Sequence, residues 1–253
     1  PAPAVGEPPQ GPLAPGVRLA YADEEYYEGV AGAGFRWRGP DVMRQTKDTY
    51  VADVLLFLLS SPVGRFKSAL MEKGPGLYDP EYIGFGYPTS RDGGVLSFSA
   101  FLVLEDPAKD GPTLDRVAAL EKAVLAEFEA VAKDPAAYFG AEELAKAKGK
   151  LIDQNLLSTE VASSYVTDTL TFWWAVATTD YFQGYERNCR AVSISDISAF
   201  VSRYLLGAPL ASTLRMAGQA FRDEPGMGGR MKALGFEAVD ESAAFWWQQA
   251  GKK

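Results

Sequence analysis

The chain has 253 residues, 47% of them hydrophobic, and a formal net charge of −8. This length permits a large buried core, and the acidic balance argues against a nucleic-acid partner, because phosphates require a clustered basic surface. The sequence contains no histidine, which excludes Ser-His-Asp and Cys-His nucleophile pairs and every zinc site built with imidazole.

The single cysteine, Cys189, excludes an internal disulfide and a cysteine-rich metal site. It lies in a helix-like stretch, which favours a buried structural thiol. No window of about 18 uninterrupted apolar residues is present, so we expect no membrane span. No signal-peptide pattern opens the sequence. The compartment is left open, and the bacterial periplasm is one soluble compartment that fits.

Composition divides the chain into three parts. Residues 1–15 read PAPAVGEPPQGPLAP, which is typical of an extended linker or tail. Residues 16–217 contain the predicted strands and most of the predicted helices, and they are expected to form the main domain. Residues 218–253 are predicted to be an appendage packed on that domain through the aromatic run Phe245-Trp246-Trp247.

Two strands are predicted first, at Val17–Tyr21 and Val30–Trp37. In the second strand apolar and basic residues alternate with a period of two, so Phe35 and Arg36 are expected on opposite faces of the sheet. A helix is predicted to begin at Asp41. Its apolar stripe recurs at three and four residues and consists of Val51, Val54, Leu55, Leu58 and Leu59.

A second helix is predicted at Arg65–Lys73, and the run G-P-G ends it. Strands at Tyr82–Tyr87 and Val95–Leu104 follow, joined by T-S-R-D-G-G, a strong hairpin signal. One face of the second strand is wholly apolar and the other is mixed, as expected for a sheet covered by helices on one side. The apolar face consists of Leu96, Phe98, Ala100, Leu102 and Leu104.

From Gly111 onward the pattern is mainly helical. The predicted elements are a helix from Leu114 to Val131, a helical tract from Ala141 to Ala177, a helix at Thr179–Cys189, a helix opened by a Ser193/Asp196 capping box, and a strand at Ala211–Met216. Strands followed by helices indicate an α+β fold, with an antiparallel or mixed β-sheet backed by helices on one face.

Three segments carry a resemblance to a known family. Residues 64–78 read G-R-F-K-S-A-L-M-E-K-G-P-G-L-Y, close to S-R-L-F-x-x-L-R-E-K-x-G-L-A-Y. Residues 143–151 read E-L-A-K-A-K-G-K-L, close to E-L-x-x-A-K-x-x-L, and residues 192–197 read V-S-I-S-D-I, close to V-T-x-x-D-(V/I). In this order and approximate spacing, they resemble the domain unit of the M16 (insulinase-like or pitrilysin) metallopeptidases over about Val17 to Ala217.

The resemblance implies an M16 peptidase-like fold and the zinc-free half of that family. The catalytic half carries H-x-x-E-H and a distant glutamate, which hold zinc and activate water. A chain without histidine cannot supply that site. The resemblance therefore implies no catalytic residue, no metal ligand and no cofactor in this chain, with zinc expected only in a partner domain or subunit.

In the zinc-free half of the family, an arginine and a tyrosine of the first segment often reach the substrate near the metal, where they can bind a peptide carbonyl. Tyr78 matches the tyrosine, but Met71 stands at the position of the arginine and can donate no hydrogen bond. The candidate substrate-binding residues are Tyr78, the nearby Tyr82, and Met71 as part of an apolar floor. For each residue, ordinary packing is the alternative interpretation.

The leading hypothesis is a non-catalytic M16 half, inactive on its own. It would form chamber wall and peptide-binding surface opposite a zinc-bearing domain or subunit. The alternative is a scaffold or assembly subunit that keeps the fold without a proteolytic role, as in some M16 relatives of respiratory complexes. Met71 at the arginine position slightly favours the alternative. An independent hydrolase that uses carboxylates is the third hypothesis.

Overall fold

The computed structural model describes residues 13–104, 110–157 and 160–239. Within them, six strands form one sheet in the order β3-β4-β2-β5-β1-β6. The strands are β1 (Arg18–Asp23), β2 (Val30–Arg38), β3 (Gly84–Gly86), β4 (Val95–Val103), β5 (Leu210–Ala217) and β6 (Glu237–Val239). From β3 to β5 the neighbours pair antiparallel, whereas β1 runs parallel to both β5 and β6. The sheet is therefore mixed.

The helices vary widely in length. They are α1 (Thr46–Ser60), α2 (Arg65–Lys73), α3 (Thr113–Lys133), α4 (Pro135–Leu157), α5 (Ala162–Ser164), α6 (Thr171–Val176), α7 (Thr179–Gln183), α8 (Tyr185–Ala191), α9 (Ile194–Phe200), α10 (Gly218–Asp223) and α11 (Met227–Leu234). Wider π-type turns continue α5 over Tyr165–Leu170 and α9 over Val201–Leu206, and a 3-10 turn spans Pro80–Tyr82.

The helices pack on one face of the sheet around a buried aromatic centre. The ring of Phe128 in α3 stacks on Phe66 of α2 at a centroid distance of 5.5 Å. It meets Trp37 of β2 edge-on at 6.0 Å and Phe85 of β3 at 6.1 Å. All four side chains are buried. The predicted α+β fold, a mixed sheet backed on one face by helices, is confirmed.

The two faces of the sheet differ as the alternation predicts. In β4 the buried residues are Leu96, Phe98, Ala100 and Leu102. The opposite side of the sheet is less covered, and we call it the open face. It carries Arg36 on β2 and Ser97, Ser99 and Phe101 on β4.

Most predicted elements are confirmed to within two residues at each end, namely β1, β2, α2, β4, α3 and β5. The capping box is also present. Ser193 Oγ accepts a hydrogen bond from Asp196 N at 3.2 Å, and Asp196 Oδ2 accepts one from Ser193 N at 2.8 Å.

The predicted start of α1 is wrong. Asp41 lies in a turn, where its carboxylate accepts hydrogen bonds from the main-chain N–H of Arg44 at 2.8 Å and of Gly93 at 3.3 Å. The second bond ties the turn to the loop between β3 and β4. The acidic side chain therefore serves a long-range contact instead of a helix cap, and α1 begins only at Thr46.

Two other boundaries differ. The predicted strand Tyr82–Tyr87 shrinks to the three residues of β3, because the 3-10 turn Pro80–Tyr82 precedes it. The predicted tract Ala141–Ala177 begins where α4 resumes after a break at Gly140, whose φ of 75° and ψ of 160° are not helical. The tract is then interrupted, since α4 ends at Leu157 and Val161 is extended before α5. A continuous helix over that tract would be about 55 Å long, longer than a compact domain of this size is wide.

The predicted helix Thr179–Cys189 is divided at Gly184 into α7 and α8. Cys189 is fully buried on α8, as expected for a structural thiol. Burial raises the pKa of its thiol to about 12.

After β5 the chain forms α10 and α11, and β6 then adds an edge strand to the sheet beside β1. Residues 240–253, which include the aromatic run at 245–247, lie outside the described residues, as do residues 1–12 of the proline-rich stretch. The division into linker, main domain and appendage stays a prediction.

Across the described ranges, no single helix combines the length and the apolar composition needed to cross a membrane. Only α1 and α2 taken together, with a 55° bend between them, meet both criteria.

Asp53 is an acidic side chain that α1 presents to α8. Its Oδ2 accepts a hydrogen bond from Tyr185 Oη at 2.6 Å. Burial raises the pKa of Asp53 to about 7, although the tyrosine hydroxyl opposes this shift. Because the pKa is higher in the folded than in the unfolded chain, the folded protein holds this proton more tightly. The resulting stabilisation is complete below about pH 4 and is lost as the pH rises through 7.

We expect Asp53→Asn to raise the free energy of unfolding by about 1–3 kcal/mol at pH 8 and to change it little at pH 4. Asparagine keeps an oxygen that accepts from Tyr185 but has no charge to desolvate. Urea unfolding at pH 4, 6 and 8 measures the difference. Asp153→Asn, at an exposed position of α4, removes the same charge as a control. Parallel pH profiles for the wild type and Asp53→Asn would contradict this assignment.

Candidate functional site

The loop that follows α2 is fixed to the core by a buried arginine. Arg116 of α3 donates to three main-chain carbonyl oxygens: from Nε to Pro75 at 2.8 Å, from Nη2 to Gly76 at 3.0 Å and from Nη1 to Val103 at 2.6 Å. Gly76 has a φ of +75°, and a Cβ there would lie 2.8 Å from Arg116 Nη2. The left-handed backbone and the close guanidinium both require glycine at this position.

The residues after this loop are also held by the main chain and by α2. Tyr78 N donates to the carbonyl oxygen of Phe101 on β4 at 2.9 Å. Asp79 then caps the 3-10 turn through its side chain. Lys67 of α2 is buried and donates from Nζ to Pro80 O at 2.9 Å, and burial lowers the pKa of this ammonium group. The backbone that carries the candidate tyrosines is therefore anchored at several points.

Tyr78 and Tyr82 come together with Phe101, and we call these three residues the aromatic cluster. The rings of Tyr78 and Tyr82 meet edge-on at 5.3 Å, and Tyr82 lies 5.6 Å from Phe101. The two tyrosines are 54% and 52% exposed, so more than half of each side chain is available to a ligand. The sequence analysis placed Phe101 on the mixed face of β4 but did not identify it as a site residue.

Met71 is placed differently from the two tyrosines. It lies on α2 and is partly buried, packed against the hydrophobic core. A thioether donates no hydrogen bond, so this side chain can offer a peptide only an apolar contact. Its role in substrate binding stays a prediction.

Arg36 lies near the middle of the open face, on the third strand of the sheet order. Its Nη1 donates to the carbonyl oxygens of Phe35 at 3.1 Å and Phe98 at 3.0 Å. The guanidinium lies over Gly34, where a Cβ would be 3.3 Å from Nη1. Burial lowers the pKa of Arg36, and no carboxylate pairs with it in the part of the chain that the structure describes. The alternation in β2 predicted its face but not its lack of an acidic partner.

These features suit the binding of an extended chain. They supply two exposed phenol hydroxyls, aromatic surface and a guanidinium, and β3 at the sheet edge adds main-chain groups. Within residues 13–104, 110–157 and 160–239, no three His, Cys, Asp or Glu side chains form a group that could hold a metal ion.

No protein-family model matches the sequence, and no curated protein matches it. Solved structures do match. A protease from Helicobacter pylori gives a TM-score of 0.63 at 16% identity, over 85% of this chain and 47% of that one. A peptidase M16 inactive domain from Pseudomonas fluorescens gives a TM-score of 0.56 at 17% identity, and the match covers 85% of this chain and 47% of that one. An inactive peptidase domain from Bordetella parapertussis gives a TM-score of 0.55 at 18% identity, and the match covers 76% of this chain and 94% of that one.

These likenesses show that the fold is that of M16 peptidase domains, inactive domains among them, as the sequence resemblance implied. The chain spans about half the length of the Helicobacter pylori protease. At this level of identity the likeness establishes the fold and assigns no site residue. The substrate-binding roles of Tyr78, Tyr82 and Met71 therefore stay predictions.

We expect Arg116→Met to lower the free energy of unfolding by about 2–4 kcal/mol, because three carbonyl oxygens lose a charged donor. Urea unfolding measures the loss. Arg222→Met is the matched control, since Arg222 pairs with Glu24 at the surface and exposed pairs contribute about 0–1 kcal/mol. A loss in Arg116→Met no larger than that of the control would show that the loop does not depend on this arginine.

Proposed function

We propose that this chain, which has the fold of the M16 peptidases, is the zinc-free half of an M16-type metalloendopeptidase. It forms a chamber wall and a peptide-binding surface opposite a zinc-bearing domain or subunit that carries H-x-x-E-H. The observation that carries the proposal is this fold in a sequence with no histidine. Such a chain cannot supply the two imidazole ligands of the family's zinc site.

The exposed side of the sheet supports a role in binding peptide. The aromatic cluster offers apolar surface together with two hydroxyl groups, and the edge strand β3 lies beside it. Tyr78 stands at the position of the family's substrate tyrosine. We assign its hydroxyl to a peptide carbonyl near the partner's zinc, where it would stabilise the developing oxyanion. Because Met71 stands at the position of the arginine, Tyr78 is the only donor at the two family positions that reach the substrate.

Co-purification from the native source tests the partnership. We expect a protein or domain with H-x-x-E-H to accompany this chain, and the mixed pair to cleave peptides faster than the zinc-bearing partner alone. The isolated chain should show no metal-dependent cleavage. Metal-dependent hydrolysis by the pure chain would overturn the proposal.

We expect Tyr78→Phe to reduce kcat/KM of the mixed pair by about tenfold, mainly through kcat, because a donor to the oxyanion acts in the transition state. Steady-state kinetics on one peptide measures the change. Tyr27→Phe removes the hydroxyl of a tyrosine that is 72% exposed outside the aromatic cluster, and it should leave both constants unchanged. Equal kinetics for the two variants would remove Tyr78 from the mechanism.

The second candidate is a scaffold or assembly subunit with the same fold. Met71 favours it, because the loss of the arginine leaves one fewer donor for a substrate. A stable complex whose peptide cleavage is no faster than that of the zinc-bearing partner alone would support the scaffold over the peptidase half.

A further inference from the structure

We propose that Arg36 forms a subsite for an acidic peptide side chain, with its guanidinium on the open face binding the carboxylate of an aspartate or glutamate. The inference rests on the proposed function, because it takes the peptide in the chamber as its ligand. It adds a substrate preference, namely for a peptide with an acidic residue at the position that lies over β2.

The first argument is charge. The protein has 33 acidic and 25 basic residues, so carboxylates outnumber the basic groups with which they could pair. Arg215, on β5, pairs with Asp23 and stacks over Tyr26 at 4.8 Å. Arg36 has no such carboxylate among the described residues. A partly desolvated cation without a counter-ion is unfavourable, and a carboxylate from a ligand would relieve that cost.

The second argument is geometry. Among the described residues, the guanidinium of Arg36 donates hydrogen bonds only from Nη1, to the carbonyl oxygens of Phe35 and Phe98. Nε and Nη2 are left to donate to a carboxylate, and a guanidinium held in place loses little freedom on binding. Gly34, beneath the guanidinium, pairs with the exposed Ser99 on β4. The nearest atom to a Cβ at Gly34 would be Thr213 Oγ1 of β5, at 2.6 Å, so a threonine hydroxyl lies beside the guanidinium.

The position on the sheet favours a side chain over a peptide terminus. Phe101 of the aromatic cluster lies two residues along β4 from Ser99, a distance of about 7 Å. Ser99 in turn pairs with Gly84 on one side and Gly34 on the other. A peptide resting on the aromatic cluster can thus cross glycine and serine positions and reach Arg36 with its chain unbroken. It would present a side chain there and not its end.

The test uses the full chain and nuclear magnetic resonance of the arginine Nε–Hε groups, with the Arg36 signal assigned by its loss in Arg36→Gln. The probes are acetyl-Ala-Ala-Glu-Ala-Ala-amide, the same peptide with Gln in place of Glu, and acetylated penta-alanine with a free carboxyl terminus. We expect the Glu peptide to shift the Arg36 signal saturably, with a Kd about tenfold lower than that of the Gln peptide. Arg187→Gln, which removes an exposed arginine of α8, should keep this preference.

Two results would overturn the inference. One is equal response to the Glu and Gln peptides, or none to either. The other is a response only to the free carboxyl terminus, which would make Arg36 a site for the peptide end. Arg36→Lys keeps the charge without the planar fork. We expect this variant to bind the Glu peptide only about fivefold more tightly than the Gln peptide, instead of about tenfold.

This result is independent of the test of the proposed function. A mixed pair that cleaves peptides faster than its zinc-bearing partner, with no preference for acidic residues, would leave the peptidase half standing and remove the subsite. Preference for the Glu peptide in a chain that never accelerates cleavage would remove the peptidase role and leave Arg36 as a carboxylate site.

Discussion

Burial of one face of the sheet is the constraint on which the rest of the structure depends. Successive residues of a strand point to opposite faces, so burying Phe98 and Leu102 under the helices fixes where Ser99 and Phe101 lie. A slip of one residue between β2 and β4 would place Arg36 beneath α3 and expose Trp37. The cost of burying an unpaired guanidinium excludes that register. Core packing therefore determines which side chains lie on the open face.

A second link joins the core to the aromatic cluster through Arg116. Its helix, α3, carries Phe128 into the centre of the hydrophobic core, while its guanidinium binds the loop before Tyr78. The same side chain reaches the carbonyl of Val103 at the end of β4. Helix, strand and loop thus meet at one planar cation, whose fork satisfies three carbonyls in different directions. The loop that carries Tyr78 is in this way linked directly to the core.

Local patterns in the sequence were enough to predict elements whose signals are local. The alternation in β4 and the capping box at Ser193 needed only neighbouring residues, and both are present in the structure. Asp41 shows where such reasoning fails, because its carboxylate binds an amide more than 50 residues away. The 3-10 turn that shortens β3 depends on Lys67 from another helix. Contacts of this range cannot be deduced from periodicity.

The sequence predicted only part of the candidate site, because the rest depends on contacts between residues that are far apart in the chain. Tyr78 was identified from a motif and Tyr82 from its nearness to Tyr78 in the sequence, and neither observation showed that Phe101 completes the cluster. Arg36 was placed on the correct face, but a lack of acidic neighbours is a property of the folded chain. It requires knowing that Asp23 is bound to Arg215 and that Glu121 is bound to Arg18.

Met71 and Arg36 together indicate how this half would contribute to catalysis within the proposed enzyme. Met71 removes a donor from the segment that carries Tyr78, so less stabilisation is available to charge that develops near the reacting carbonyl. The guanidinium of Arg36, which lies over Gly34, is about 8 Å from Phe101 of the aromatic cluster along and across the sheet, roughly the span of two to three extended residues. Contacts at that distance from the reacting carbonyl would bind the peptide equally well in the ground state and in the transition state. Such remote binding energy orients a substrate and lowers KM, and it raises kcat only where it is used to hold the peptide in a reactive geometry. Under the proposed function, the chemistry of this half would therefore be that of positioning, with the Tyr78 hydroxyl as the one direct contribution to the transition state that we assign to it.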